Sequence, residues 1–181
     1  MTVTITKDMA ANVLRRVRDL TNKRVLIGIP QSADARDDGS PVGNAVRGYI
    51  NEFGDPERNI PARPFLIPGV AAVQDKSIAR LKKAGEAALL GGDPQPEMMK
   101  AGLGAQGSVK SIIEAGIAPA LSERTLRGRI ASRKTGHVGS EQELKNRAAG
   151  LAPSTDLSKP LIDTGELLNS ILYVIEDKRD A

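Results

Sequence analysis

Hydrophobic positions change period several times along the chain, and each change marks an element. Residues 2–6 alternate threonine with Val3 and Ile5, the two-residue period of a short strand. From residue 7 to residue 20 the period lengthens. Met9, Val13, Val17 and Leu20 fall on one helical stripe, with Arg15, Arg16 and Arg18 facing water. Thr6 is placed to cap this helix, and Asp8 sits in its first turn, where a negative charge suits the dipole. Residues 24–30 (RVLIGIP) are apolar on both faces, which predicts a central, covered strand.

The period is lost over residues 31–43, rich in Asp, Ser and Gly, and a mobile loop is expected there. Helical spacing returns over residues 44–53 through Ala45, Tyr49 and Phe53, and Gly54 ends it. The stretch from residue 49 to residue 69 (YINEFGDPERNIPARPFLIPG) follows as an ordered, extended corner. Pro56, Pro61, Pro64 and Pro68 fix their own φ angles and push the preceding residues towards extended conformations.

Residues 64–90 then read as one long helix with Leu66, Val70, Val73, Leu81, Ala84 and Ala88 on a single stripe. GGDPQP at residues 91–96 breaks it. A second helix to about residue 116 presents Met98, Gly102, Ala105, Val109, Ile112 and Gly116 on one face. Both stripes are rich in Ala and Gly, so the two helices are expected to form a close antiparallel hairpin. The glycines at 102, 104 and 107 oppose this, each costing about 1 kcal/mol relative to Ala. Residues 119–160 form a long polar excursion with one short helix expected at residues 121–130. Residues 161–176 (LIDTGELLNSILYVIE) give a helical turn and then a strand expected to pair beside residues 24–30, before a charged tail at residues 177–181.

These elements predict a single α+β domain over residues 1–181: a small mixed or antiparallel β-sheet packed against a long helical hairpin, with mobile excursions at about 31–43 and 119–160. Composition sharpens the core. Of the four aromatic residues, Tyr49, Phe53 and Phe65 lie in the corner, where they are expected to act as core anchors, with Phe53 and Phe65 pinning sheet to hairpin. Ile60 and Phe65 flank Arg63, which sits between prolines and is expected to face a neighbouring subunit. The chain has no cysteine, which excludes disulfides, thiolate metal sites and a Cys nucleophile. No apolar run approaches a membrane span and no signal-peptide block opens the chain, so synthesis and folding in the cytosol are expected.

The charge is uneven. Residues 119–160 hold eight basic against four acidic residues, the whole of the formal excess of +4. Arg124, Arg127, Arg129, Arg133 and Lys134 make a candidate basic loop for an acidic protein surface or nucleic acid. No aromatic is interleaved for base stacking, which favours a solvated loop over a nucleic-acid-binding module, the alternative reading.

Three candidate chemistries fail on context. Asp163-Thr164-Gly165 has the letters of an aspartic-protease loop, but that fold needs a flap and further strands, and only residues 166–181 remain. A capping box fits better, with Asp163 capping a short helix and Glu166 reaching back. His137, the sole histidine, lies between glycines without a visible catalytic partner or fellow ligand, and is expected to be exposed. The glycines at 102, 104 and 107 match a dinucleotide fingerprint only in letters, because no strand precedes them. No nucleophile, base and oxyanion site assemble; the sequence reads as an interaction protein, not an enzyme, with no cofactor and no metal.

The order of blocks carries a resemblance. A strand ending VLIGIP, a helix closing on NEFG, IPARPFL opening a long helix, then LSERT and PLIDTGELLNSI together resemble the tail-completion and head–tail joining proteins of tailed bacteriophages, including the related virion-morphogenesis proteins. The likeness spans residues 24–176 in separated blocks; IPARPF paired with the DTG-x-L-x-x-S-I ending is its most specific part. Related sequences often carry a Trp before the Pro-Leu-Ser-type segment, whereas here GIAPALSERT has none. The resemblance implies a virion subunit, made in the bacterial cytoplasm, that forms a ring, commonly of six. The ring would sit at the head-proximal end of the tail, against the tail tube or tail terminator and the neck or connector proteins. Contact with DNA would be incidental, and no membrane is involved. In that setting Phe53, Ile60, Arg63, Phe65, Asp163 and Glu166 are the expected interface or structural residues.

Overall fold

One long helix, residues 95–115, organises the molecule and carries six of its buried residues. The computed structural model describes residues 10–37, 39–132 and 137–178. In chain order the elements are α1 (Ala10–Thr21), β1 (Lys23–Gly28), α2 (Asn44–Phe53), α3 (Leu66–Ala71), α4 (Gln74–Leu90), α5 (Gln95–Ala115), α6 (Glu123–Ser132), α7 (His137–Ala148), α8 (Glu166–Ser170) and β2 (Leu172–Asp177). The fold is α+β, as the periodicity predicts. The strand expected at residues 2–6, and the cap at Thr6, lie outside the described residues.

Helix α5 packs against α4, α3 and both strands. Its buried face is Met98, Ala101, Gly102, Ala105, Val109 and Ile113, and its small side chains let neighbours approach closely. A Cβ on Gly102 would lie 2.5 Å from the Tyr173 ring, and one on Gly69 of α3 would lie 2.6 Å from Val109 Cα. Glycine is therefore required at both contacts. Gly104 and Gly107 meet nothing, so they cost helix propensity without disturbing packing. Above α5, β1 and β2 pair antiparallel with Val25 opposite Ile175 and Ile27 opposite Tyr173. The core closes around Phe65, Val109, Ile113 and Ile171, with Ile27, Ile29, Leu66 and Leu161 among the residues packed on it.

Several expectations need correction. The helix expected over residues 64–90 is two, because Val73 leaves helical geometry (φ −119°, ψ 14°). Within α4 the expected stripe is only partly covered: Leu81 is 42% exposed while Ala84 and Ala88 are buried. Strand β1 is not a central strand among the described residues: it pairs with β2 alone, and Leu26 on its outer face is exposed.

The segment at 31–43, expected as a loop, is tied down. It holds a short 3₁₀ turn at Gln31–Ala33, and the Asp34 carboxylate accepts from the Ala45 amide at 2.7 Å. Residues 119–132 and 137–160 likewise form a two-helix lobe where a mobile excursion with one short helix was expected: α6 is the helix expected at residues 121–130, and α7 is an addition. Leu121 and Leu126 supply its apolar burial, and much of what is buried beside them is polar. Arg129 donates to Ser158 Oγ (3.2 Å) and the Lys159 carbonyl (3.0 Å), and Ser140 and Ser158 share a hydroxyl contact at 2.9 Å. The Glu143 carboxylate accepts from Arg147 Nε and the Ser154 amide, both at 2.9 Å. A lobe whose interior is hydrogen-bonded serine, arginine and glutamate leaves no apolar period to read.

Candidate functional site

Two surfaces meet at the proline corner, one apolar and one charged. The apolar one is built by α2, whose burial is inverted. Its inward positions are Asn44, Gly48 and Glu52, while Val46, Tyr49 and Phe53 face outward, at 51%, 67% and 57% exposure. Each inward residue has a local reason. Asn44 accepts from Arg36 Nη1 at 2.6 Å and donates to the Ala33 carbonyl. Gly48 admits the tip of Ile29, which would stand 2.8 Å from a Cβ placed there. Glu52, only 5% exposed, accepts from the amides of Phe65 (2.7 Å), Leu66 (2.8 Å) and Ile67 (3.0 Å). One carboxylate thus serves three N–H groups at the entry to α3, which have no partner inside the helix.

Outside, the Tyr49 and Phe53 rings touch each other at a centroid separation of 4.9 Å. With Ile67, 60% exposed, they rim a hollow of about 220 Å³ whose walls include Gly28, Ile29, Phe65 and Ile171. The expectation that Tyr49 and Phe53 are core anchors is therefore wrong; Phe65 alone of the three is buried. The cause is Glu52, whose inward turn sets the helix so that the neighbouring apolar stripe faces solvent.

The charged surface is a cleft of about 410 Å³ between the main body and the α6–α7 lobe. It brings together Ile60, Arg63, Arg129, Asp163 and Glu166, which the sequence named for separate reasons, and adds Arg36 and Arg47, which it did not. Arg63 does not point towards a neighbour. It is 7% exposed and donates through Nε and Nη2 to the Pro119 carbonyl (3.0 and 2.8 Å) and through Nη2 to Ala120. Burial, and then the nearby Arg129 charge, lower the Arg63 pKa; burial lowers that of Arg129, partly offset by Asp163.

Asp163 and Glu166 do not form a capping box. The residue preceding α8 is Gly165, in the left-handed region at φ 85°, which has no side chain to cap the helix; the Glu166 amide reaches Thr164 Oγ1 at 3.5 Å instead. Asp163 instead lies 3.6 Å from Arg129 Nε, and Glu166 lies 3.0 Å from Arg36 Nη2. The basic loop is split: Arg124 and Arg127 are exposed on α6, Arg127 3.6 Å from Glu123, while Arg129 is turned inward. Arg133 and Lys134 lie outside the described residues. His137 opens α7 and is half-buried, where an exposed position was expected.

Among the described residues no helix is long and apolar enough to cross a membrane. No family model matches the chain, and no curated protein or solved structure does either.

Proposed function

We propose that this chain is a structural subunit of a tailed-bacteriophage virion, forming a ring at the head-proximal end of the tail and helping to join tail to head. The order of the sequence blocks, from VLIGIP through IPARPFL to PLIDTGELLNSI, supports the reading. The structural observation that carries it is the outward pair Tyr49–Phe53 over an apolar hollow. A chain with four aromatic residues that spends two on its surface has an apolar face suited to a protein partner. A closed ring asks for such a patch on each subunit, meeting a different surface on the next. Nucleic-acid binding draws less support, because Arg129 is committed inside the lobe and Arg127 faces Glu123.

The test is complementation. Particles made without this protein are expected to appear in the electron microscope as full heads beside unjoined tails. Supplying the wild-type chain restores joining, whereas the Tyr49→Ser, Phe53→Ser double variant, folded with an unchanged unfolding midpoint, does not. Normal virions without the protein would refute the assignment, and full rescue by the double variant would refute the interface.

A further inference from the structure

The α4–α5 hairpin carries a basic groove on its open side. Lys76, Arg80 and Lys83 fall at steps of four and three residues along α4, one helical stripe, and Lys100 of α5 joins them around a groove of about 440 Å³. All four are exposed. Glu97 pairs with Arg80 at 3.1 Å and with Lys100 at 2.6 Å, while Lys76 and Lys83 form no ion pair with any described residue. Apart from Ser77, the rest of the lining is small and apolar: Val73, Ala79, Ala101 and Gly104.

Gly104 sits inside a 21-residue helix, where glycine weakens helix formation, and a Cβ placed on it would meet nothing within 4 Å. No contact inside the chain asks for glycine there, in contrast to Gly102 beneath Tyr173. Beside the groove, Met99 and Leu103 are exposed one turn apart on α5, at 45% and 60%.

The cations ask an occupant for carboxylates or phosphates. The bare glycine and small apolar lining ask for an apolar stripe lying close, because side chains at the contact set the distance between packed helices. A phosphodiester backbone meets only the first demand, and neither helix has an aromatic residue on which a base could stack. A second copy of this chain fails the first demand, since no described helix longer than five residues carries more acidic than basic residues. A helix of another protein, apolar on one face and acidic along its flanks, meets both.

We propose that the α4–α5 groove is a docking site for an acidic amphipathic helix of a partner protein, seated on Ala101 and Gly104 with its carboxylates against Lys76, Arg80, Lys83 and Lys100. This surface is separate from the Tyr49–Phe53 pair, and the proposal stands independently of the virion reading.

The probe is a labelled helical peptide of about 20 residues, with Leu along one face and Glu on both flanks, titrated with the full chain by fluorescence anisotropy. The same peptide with Lys for every Glu, and a labelled DNA duplex, are titrated alongside. Saturable one-to-one binding of the Glu peptide is expected, weakening with added salt, with no binding of the Lys peptide and weaker binding of DNA. The Lys76→Gln, Lys83→Gln double variant should weaken it about fivefold, as for two charges at an exposed rim. Gly104→Leu is the sharper variant. It should raise the thermal midpoint by about 2–4 °C through helix propensity while weakening peptide binding about tenfold by filling the seat. Those opposed signs separate a docking groove from general loss of structure. Failure of the Glu peptide to bind, equal binding of the Lys peptide, or wild-type affinity in Gly104→Leu would overturn the proposal. Tighter binding of DNA than of the Glu peptide would make this a nucleic-acid face instead, and a lowered midpoint in Gly104→Leu would assign the glycine to packing within the chain.

Discussion

Glu52→Ala tests whether the inverted packing of α2 is held by its one buried carboxylate. The side chain accepts from three consecutive amides at 2.7, 2.8 and 3.0 Å, and the first of these bonds is buried. A hydrogen bond to a charged group contributes about 1.5–3 kcal/mol net. The three do not add in full, because they share one carboxylate and the Leu66 and Ile67 amides are only partly buried, so water can replace their acceptor. The Phe65 amide is left without a partner in the core, at about 1–3 kcal/mol. Relief of the carboxylate's own desolvation offsets part of the loss. The expected cost is about 2–4 kcal/mol. In urea, at a slope of about 2 kcal/mol/M, the middle of the range for small proteins, this lowers the midpoint by about 1–2 M at unchanged slope. Glu52→Gln keeps one acceptor oxygen but turns an NH₂ towards the third amide, so it should fall about midway. Exchange at the Phe65 amide should accelerate in both variants. A loss below about 0.5 kcal/mol for the alanine variant, the size of an ordinary surface change, would show that the carboxylate does not hold the corner.

Two further substitutions probe the joints around it. Gly69→Ala should destabilise by about 1–3 kcal/mol, because the clash is with the Val109 backbone, which cannot rotate away; an unchanged thermal midpoint would mean that α3 and α5 sit farther apart. Arg63→Met keeps the apolar stem but frees the Pro119 and Ala120 carbonyls. Losing these bonds and shedding a buried charge oppose each other, so a loss of about 1–2 kcal/mol is expected. Proteolysis between α5 and α6 should quicken, and cleavage at the wild-type rate would refute the role given to Arg63.

What could be read from the sequence depended on whether a partner was local. The α4–α5 hairpin was legible because Met98, Ala105 and Val109 repeat at helical spacing and do line the buried face. The end of α2 was legible because Gly54, at φ 80°, takes a conformation that other residues avoid. The α6–α7 lobe was not, since its buried groups include Arg129, Ser140, Glu143 and Ser158, whose hydroxyl, carbonyl and amide partners lie 11 to 30 positions away. For the same reason Asp163 and Glu166 read as a cap when their partners, Arg129 and Arg36, come from other elements. A signal existed for Glu52: an acid in the last turn of α2 disfavours the helix dipole, which asks for another reason to be there.

That reason also bears on assembly. A helix that buries Asn44, Gly48 and Glu52 while exposing Val46, Tyr49 and Phe53 forgoes the apolar burial its sequence offers. Fully burying one large apolar side chain contributes about 1.5–3 kcal/mol, so the free chain leaves several such increments unused on one face. Rotating α2 by about a quarter turn, the 100° between neighbouring helix positions, would bring Tyr49 inward. It would also strip the Phe65, Leu66 and Ile67 amides of their acceptor and drive Ile29 against a side chain larger than glycine. Glu52 and Gly48 together therefore hold the aromatic pair outward, and the corner is rigid in the orientation that presents it. An apolar face fixed by buried polar contacts is suited to a partner that supplies the missing cover, because little ordering cost remains to be met on docking.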